Sequence, residues 1–201
     1  TLTNGVTLST GAVGAGNILF SSTLDGAQNL DLTAGTGNIT MSGLVGDTTP
    51  LADISIASAA NVTTNGVRAA NFTQTTGTGT TTINTGNFTA DPDQGIGATG
   101  AVAITNNAIA VNDSINAGTT VNLNATGAAV TIAADGDITA GGAVNITGAT
   151  GISTAGDVTT AGGAVNFNSA TTLTGAVAVD TTNAGGTAAG AYSGFGKTAS
   201  D

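Results

Sequence analysis

Along most of the chain, apolar residues come in short pulses that alternate with polar ones. Val121-Asn-Leu123, Val144-Asn-Ile146, Val165-Asn-Phe167 and Val177-Ala-Val179 each set two apolar side chains two residues apart. Successive side chains of a strand point to opposite faces, so this pattern marks a strand with one face buried. In Val165-Asn-Phe167 the valine and phenylalanine are expected to face inward and Asn166 outward. The pulses are separated by Gly, Asn, Asp and Thr. Gly and Asn accept positive φ, and Asp favours turns. The reading is a chain that is almost all β.

The pulses also repeat. Gly136-Asp-Ile-Thr-Ala-Gly-Gly-Ala-Val-Asn-Ile146 returns as Gly156-Asp-Val-Thr-Thr-Ala-Gly-Gly-Ala-Val-Asn-Phe167, with one residue inserted. Val144 and Val165 are then 21 residues apart. Phe20, Met41, Val62, Ile83 and Ile104 form a series at the same offset, as do Leu30, Leu51 and Phe72. The pairs Ile146/Phe167, Ile152/Leu173 and Val158/Val179 share it. After a shift of two, Leu123, Val144 and Val165 continue the first series.

Such a period fits a solenoid, in which inward positions must be apolar in coil after coil and coils stack at the strand spacing of ~4.8 Å. The spacing predicts an all-β, right-handed parallel β-helix with coils of about 21 residues and three short strands per coil. For one coil the strands are expected near 120–124, 129–133 and 137–140. For the next they are expected near 143–147, 151–154 and 157–160. About nine coils fit in residues 1–182, a rod ~40–45 Å long at the strand spacing. Residues 183–201 lose the alternation and read as a cap, a linker or a frayed tail. Asp91-Pro-Asp-Gln-Gly-Ile-Gly97 reads as an extruded loop, because Pro92 does not suit a central ladder. A β-sandwich also has short strands with turn signals between them, but it does not explain columns at 21. A left-handed β-helix has six-residue steps. These fit Ile132, Ile138 and Val144, and also Ile146, Ile152 and Val158, but fail at Val165, Leu173 and Val177.

Composition narrows the function classes. The basic residues are Arg68 and Lys197; all 12 acidic residues are Asp; His, Cys and Trp are absent, and the net charge is −10. Phosphate backbones and anionic membranes both demand Lys and Arg, so no nucleic-acid partner is expected. No apolar run approaches the ~20 residues of a membrane span, so no membrane insertion is expected. The chain starts at Thr1 without a charged and apolar leader, and reads as a processed product or a fragment. Hydrophobic residues make up 40% and come in pulses, which argues against disorder.

Without His or Cys, general-base and nucleophilic chemistry is hard to build, and no enzyme is expected. The close acidic pairs are Asp91 with Asp93 and Asp135 with Asp137. They read first as solvent-facing turn residues. Paired carboxylates can also serve glycoside hydrolysis, and hard oxygen ligands can hold calcium. The acidic, Gly-rich nonapeptide of calcium-loaded β-rolls is absent, and no cofactor is expected. Seven Asn-X-Ser/Thr sequons, at Asn38, Asn61, Asn71, Asn87, Asn112, Asn124 and Asn145, arise readily in a chain this rich in Asn and Thr. Asn122, Asn145 and Asn166 are expected to stack as an outward ladder linking coils. A flat hydroxyl face of the ice-binding kind needs Thr in register over several coils. At an offset of 21, Thr40, Thr82 and Ala103 do not sustain one.

Gly37-Asn-Ile-Thr-Met41, Gly136-Asp-Ile-Thr139 and Ala143-Val-Asn-Ile-Thr147 resemble the repeats of filamentous-haemagglutinin-like exoproteins and autotransporter passengers. They also resemble those of the large β-strand-repeat surface proteins of bacteria. The resemblance covers residues 16–181. It implies a secreted protein of the bacterial surface or extracellular space, serving as a structural component or as an adhesin. The typical N-terminal secretion domain and a membrane β-barrel are not recognisable. Three expectations follow: a rod or fibre segment that associates end to end or continues covalently; an adhesin binding glycan or protein through loops; and, ranked last, a carbohydrate-active β-helix enzyme.

Overall fold

The computed structural model describes residues 1–13, 16–89 and 94–182, together with the backbone of a strand at Tyr192–Ser193. No helix occurs among the described residues. The first coil holds β1 (Val6–Ser9) and β2 (Ile18–Phe20), the second β3 (Leu30–Thr33) and β4 (Ile39–Met41). The third holds β5 (Leu51–Ser58) and β6 (Val62–Thr64), the fourth β7 (Val67–Gln74) and β8 (Thr80–Ile83). From there three separate strands recur. They are β9 (Ile96–Ala98), β10 (Val102–Asn106) and β11 (Ala108–Val111), then β12 (Ile115–Ala117), β13 (Val121–Ala125) and β14 (Val130–Ile132). Next come β15 (Ile138–Ala140), β16 (Val144–Gly148) and β17 (Ile152–Thr154), then β18 (Val158–Thr160), β19 (Val165–Phe167) and β20 (Thr171–Leu173), with β21 (Val179–Asp180) and β22 (Tyr192–Ser193) beyond.

Each strand pairs in parallel with its counterpart one coil away, as β10 does with β7 and β13. The molecule is a parallel β-helix, a β-solenoid of three faces. Leu24, Val45, the start of β7, β9, β12, β15, β18 and β21 make the first face. β10, β13, β16 and β19 lie on the second, continued downward by the end of β7, β5, β3 and β1. β7 runs unbroken through the corner between these faces, so they form one 14-stranded sheet. The third face is an 8-stranded sheet from β2 to β20. Eight turns therefore stand where nine are expected from a uniform period. The strands expected for the coils near residues 120–160 lie within one or two residues of β13 to β18.

The interior is a set of stacked columns. On the second face Phe72, Val102, Val121, Val144 and Val165 lie one above another, with Gln74, Ile104, Leu123, Ile146 and Phe167 in the column beside them. Burial follows the alternation: in β13 Val121, Leu123 and Ala125 are buried, while Asn122 and Asn124 are exposed. Removing each such Val, Leu or Ile from water stabilises the fold by roughly 1.5–3 kcal/mol, which offsets the cost of ordering short strands.

One expected column is corrected. Phe20 does lie on Met41. Met41 then lies on Thr64, Thr64 on Ile83 and Ile83 on Val111. Val62 belongs to the neighbouring column, between Ile39 and Thr81. Ile104 lies on the second face, between Gln74 and Leu123. Leu30 likewise meets Ile54 and then Phe72, while Leu51 pairs with Ala69. Coil length varies, and that is the cause. On the first face Leu24, Val45, Val67, Ile96, Ile115, Ile138, Val158 and Val179 are separated by 21, 22, 29, 19, 23, 20 and 21 residues. A fixed offset loses the register within two coils. All of these coils exceed three six-residue steps.

One polar knot interrupts the apolar interior. The Thr81 hydroxyl donates to Gln74 Oε1 at 2.6 Å, and Asn106 Nδ2 donates to Thr81 Oγ1 at 2.9 Å. Thr64 Oγ1 and Gln74 Nε2, both buried, have no partner.

Candidate functional site

The alternation of β7 buries Val67 and Ala69 and turns Arg68 outward. Two residues that hold Arg68, Phe88 and Gln94, come from the long connection between β8 and β9, of which residues 84–89 and 94–95 are described. Between β8 and β9 the chain runs from Asn84 to Gly95, whereas Asn112–Ser114 suffices one coil later. The connection's described residues bond to an earlier coil and to each other. The Thr89 amide donates to Asp47 Oδ1 at 3.1 Å, and the Gly86 amide to Gln94 O at 3.1 Å. Phe88, 2% exposed, packs where Gly66 leaves room. Gly66 has φ 103°, and a side chain there would meet Gly86 Cα at 2.6 Å and Phe88 Cε2 at 2.9 Å. The Arg68 guanidinium lies over the Phe88 ring, 4.7 Å from its centre, and Nε donates to Gln94 Oε1 at 3.0 Å. Ring face and amide together hold the cation in one place. Gln94 is itself 7% exposed. Gly97 leaves the space its amide occupies, since a Cβ at Gly97 would run into Gln94 Oε1.

Beside this cation a groove of about 450 Å³ crosses the first face. It crosses the outward row Arg68, Gly97, Asn116 and Thr139, and it is bordered by Ala69, Ala98 and Ala117, whose side chains are buried inward and pair rung to rung between β7, β9 and β12. Pro50, Gln94, Thr99, Asn116 and Thr139 form its walls. Among the described residues, no acidic side chain lines it. The arrangement offers a fixed guanidinium with hydroxyl and amide groups beside it.

The acidic pairs lie elsewhere. Asp135 and Asp137, both exposed, line a second recess of about 410 Å³ with Thr85, Ser114 and Asp113. Asp113 is 4% exposed and accepts from the Ser114 amide at 2.5 Å. Among the described residues, no three acidic side chains gather closely enough to hold a metal ion. Asp137 has a bonding role: its Oδ1 accepts the Asp157 amide at 2.8 Å, and Asp157 Oδ1 accepts the Ala178 amide at 2.7 Å. Asp91, Pro92 and Asp93 lie outside the described residues. Ile96 and Gly97, expected in the extruded loop, belong to β9, because Ile96 fills the first-face column between Val67 and Ile115.

The expected Asn ladder is present. Asn145 Nδ2 donates to Asn122 Oδ1 at 2.8 Å, and Asn166 Nδ2 to Asn145 Oδ1 at 2.8 Å. Others accompany it at strand starts. Asn17 Oδ1 accepts the Asn38 amide at 2.8 Å, Asn38 Oδ1 the Asn61 amide at 3.2 Å, and Asn61 Oδ1 the Thr80 amide at 2.8 Å. Five sequon asparagines, Asn38, Asn61, Asn71, Asn112 and Asn145, thus carry bonds between coils. The row of outward hydroxyls on the third face differs from expectation. Thr40, Thr63 and Thr82 are in register, followed by Ala110, Thr131, Ser153 and Thr172. Ala110, and not Ala103 of the second face, follows Thr82. Ala110 breaks the row, so the hydroxyls do not run unbroken.

Comparison with protein-family profiles, curated proteins and solved structures gave no match. Arg68, Phe88 and Gln94 were not singled out by sequence as a site. The available signal was that Arg68 is one of two basic residues in the chain and the outward member of Val67-Arg-Ala69.

Proposed function

We propose that this chain is a structural segment of a secreted bacterial surface or extracellular fibre: a non-catalytic β-solenoid rod that joins its neighbours end to end, through a further copy or through more of the same polypeptide. The observation that carries this reading is a pair of ladders that run the length of the rod and stop at open edges among the described residues. Val6 and Thr10 direct their amides to Asn29 O and Thr33 O, so the alternation of a parallel strand turns the Thr7 N–H and C=O toward the free side of β1. Apolar side chains lie exposed near the rod ends: Leu8 at 37% and Leu19 at 63% at one, Leu173 at 49% at the other. Bare strand edges recruit strands. The surface location rests on the repeat phrases and on the low-charge, acidic composition. Electron microscopy of the native material tests the proposal: filaments of uniform width with a ~4.8 Å axial repeat support it, and isolated short particles at high concentration contradict it.

A second reading, adhesion, is favoured by one specific observation: the groove beside Arg68, with Gln94 at its wall. Screening the chain against glycan and protein arrays tests it. The enzyme reading ranks last, because His and Cys are absent and, among the described residues, the groove lining carries no carboxylate.

A further inference from the structure

We propose that Asn4 is a site of spontaneous deamidation, closing on the Gly5 nitrogen to a succinimide, and that the fold protects the chemically identical pair Asn65-Gly66. The proposal needs no partner and stands apart from the fibre and adhesion readings. The sequence holds two Asn-Gly pairs, Asn4-Gly5 and Asn65-Gly66. Asn followed by Gly is the pair most open to this reaction, because no Cβ stands beside the attacking nitrogen to hinder it. The Gly nitrogen gives up its proton to solvent and bonds to the Asn Cγ. The Cγ–Nδ2 bond breaks and ammonia leaves. Water then opens the imide at either carbonyl, giving Asp or its β-linked isomer. Water is the one co-reactant.

The two pairs sit in opposite surroundings. Asn4 and Gly5 are both exposed, on the stretch that leads into β1. The chain is anchored on either side, where the Leu2 amide donates to Asp25 O at 2.6 Å and the Val6 amide to Asn29 O at 2.9 Å. Between these anchors, neither the Asn4 side chain nor the Gly5 amide makes a hydrogen bond among the described residues. Nothing has to break before the ring closes. At Asn65 both partners are held. Its Nδ2 donates to Ser42 O at 3.4 Å, its Oδ1 accepts from Asn84 Nδ2 at 3.2 Å, and its amide donates to Met41 O at 3.1 Å. Gly66 O accepts the Val45 amide at 3.1 Å. Gly86, Leu44 and Phe88 close round Gly66, so that a Cβ there would meet Gly86 Cα at 2.6 Å. Bringing Asn65 Cγ onto the Gly66 nitrogen turns the side chain out of its bonds, so the reaction there waits for local opening. Each conversion adds one negative charge to a chain of net charge −10.

The test is to hold the isolated whole chain at low concentration in mildly alkaline buffer, digest it with pepsin in acid, and follow both Asn-Gly peptides by mass. The expected result is conversion at Asn4 at least tenfold faster than at Asn65 in the folded chain, with the two rates converging in urea. Gly5→Ala separates the chemistry from the structure. A Cβ at Gly5 would come no nearer than 3.8 Å, to Asn29 O, so the variant is expected to keep its unfolding midpoint. Its Asn4 conversion is expected to slow at least tenfold. Asn65 converting as fast as Asn4 in the folded chain overturns the proposal. So does a folded chain that leaves Asn4 intact over the time in which the urea-unfolded chain converts it. An Asn4 rate unchanged by Gly5→Ala, or an Asn65 rate that stays far behind in urea, overturns it as well.

Discussion

Val144 and Asn145 are neighbours with opposite fates. Val144 is fully buried between Val121 and Val165, whereas Asn145 bonds its counterparts above and below on the outer surface. An aspartate at 144 is a charge in a dry column without a partner, so Val144→Asp is expected to cost several kcal/mol. Asn145→Asp loses the donor to Asn122 and keeps the acceptor for Asn166, so a cost of about 1 kcal/mol is expected. Thermal or urea unfolding of both variants checks this, and equal shifts would contradict the assignment of faces. Thr64→Val has the opposite sign. The Thr64 hydroxyl is buried without a partner, so an isosteric apolar replacement is expected to stabilise the rod by about 1 kcal/mol; a lower urea midpoint would count against this. At this scale the sequence was legible wherever two apolar residues flank a polar one, because strand period alone sets the face. It was silent on Thr64 and Gln74, since a polar residue at an inward position looks like any outward one. The strand-start Asn and Asp ladders were readable in principle. Asn or Asp stands directly before the first inward residue in Asn17-Ile18, Asn38-Ile39, Asn61-Val62, Asp137-Ile138 and Asp157-Val158.

At the scale of elements, strand positions were readable and register was not. The strands near residues 120–160 are where the alternation puts them, but a series such as Phe20, Met41, Val62, Ile83 and Ile104 crosses columns and then faces. Coils absorb insertions at their corners without disturbing the ladders, so nothing in the chain enforces a constant period. The largest insertion, residues 84–95, also supplies Phe88 and Gln94, which hold Arg68 beside the groove. It contributes little to the ladders and packs through Phe88, which makes a separable prediction. Phe88→Ala removes a buried ring worth roughly 3–5 kcal/mol in a cooperative core. Here the loss is expected to open the connection alone. Hydrogen exchange is the measurement: the Gly86 amide, bonded to Gln94 O, and the Thr89 amide, bonded to Asp47, should lose protection. The amides of β13 and β16 should keep theirs. Uniform loss along the rod would show that the connection and the solenoid unfold together. The Arg68 site escaped the sequence reading for the same reason, since Phe88, Gln94 and Arg68 meet only after an irregular connection folds back across a coil.

For the whole molecule, the question is what happens where the ladders stop. A parallel strand sends alternate residues to opposite neighbours. In β1, Val6 and Thr10 bond inward to the β3 coil, which leaves Thr7 and Ser9 facing away from it. On the third face the Ile18 amide bonds Asn38 O and Phe20 O accepts from Ser42, so the peptide groups of Leu19 face away. A joining strand would find both rows of donors and acceptors at one rod end, with Leu8 and Leu19 exposed beside them. In the proposed end-to-end assembly docking there would be heterologous, one end of a copy meeting the opposite end of the next, and contacts of that kind propagate as filaments. Thr7→Pro separates assembly from folding. Proline removes an N–H that β3 does not use, and its ring obstructs the approach of a strand, which is how edge strands tolerate it. The variant is expected to keep its fold, with a loss near 1 kcal/mol, while its association weakens at least tenfold; roughly 1.4 kcal/mol of contact energy accounts for that factor. Sedimentation over a concentration series, with the wild-type chain alongside, reads both quantities. Unchanged association in a folded Thr7→Pro chain would remove β1 from the contact, and a wild-type chain that stays monomeric throughout would leave the adhesive reading as the better account of the rod.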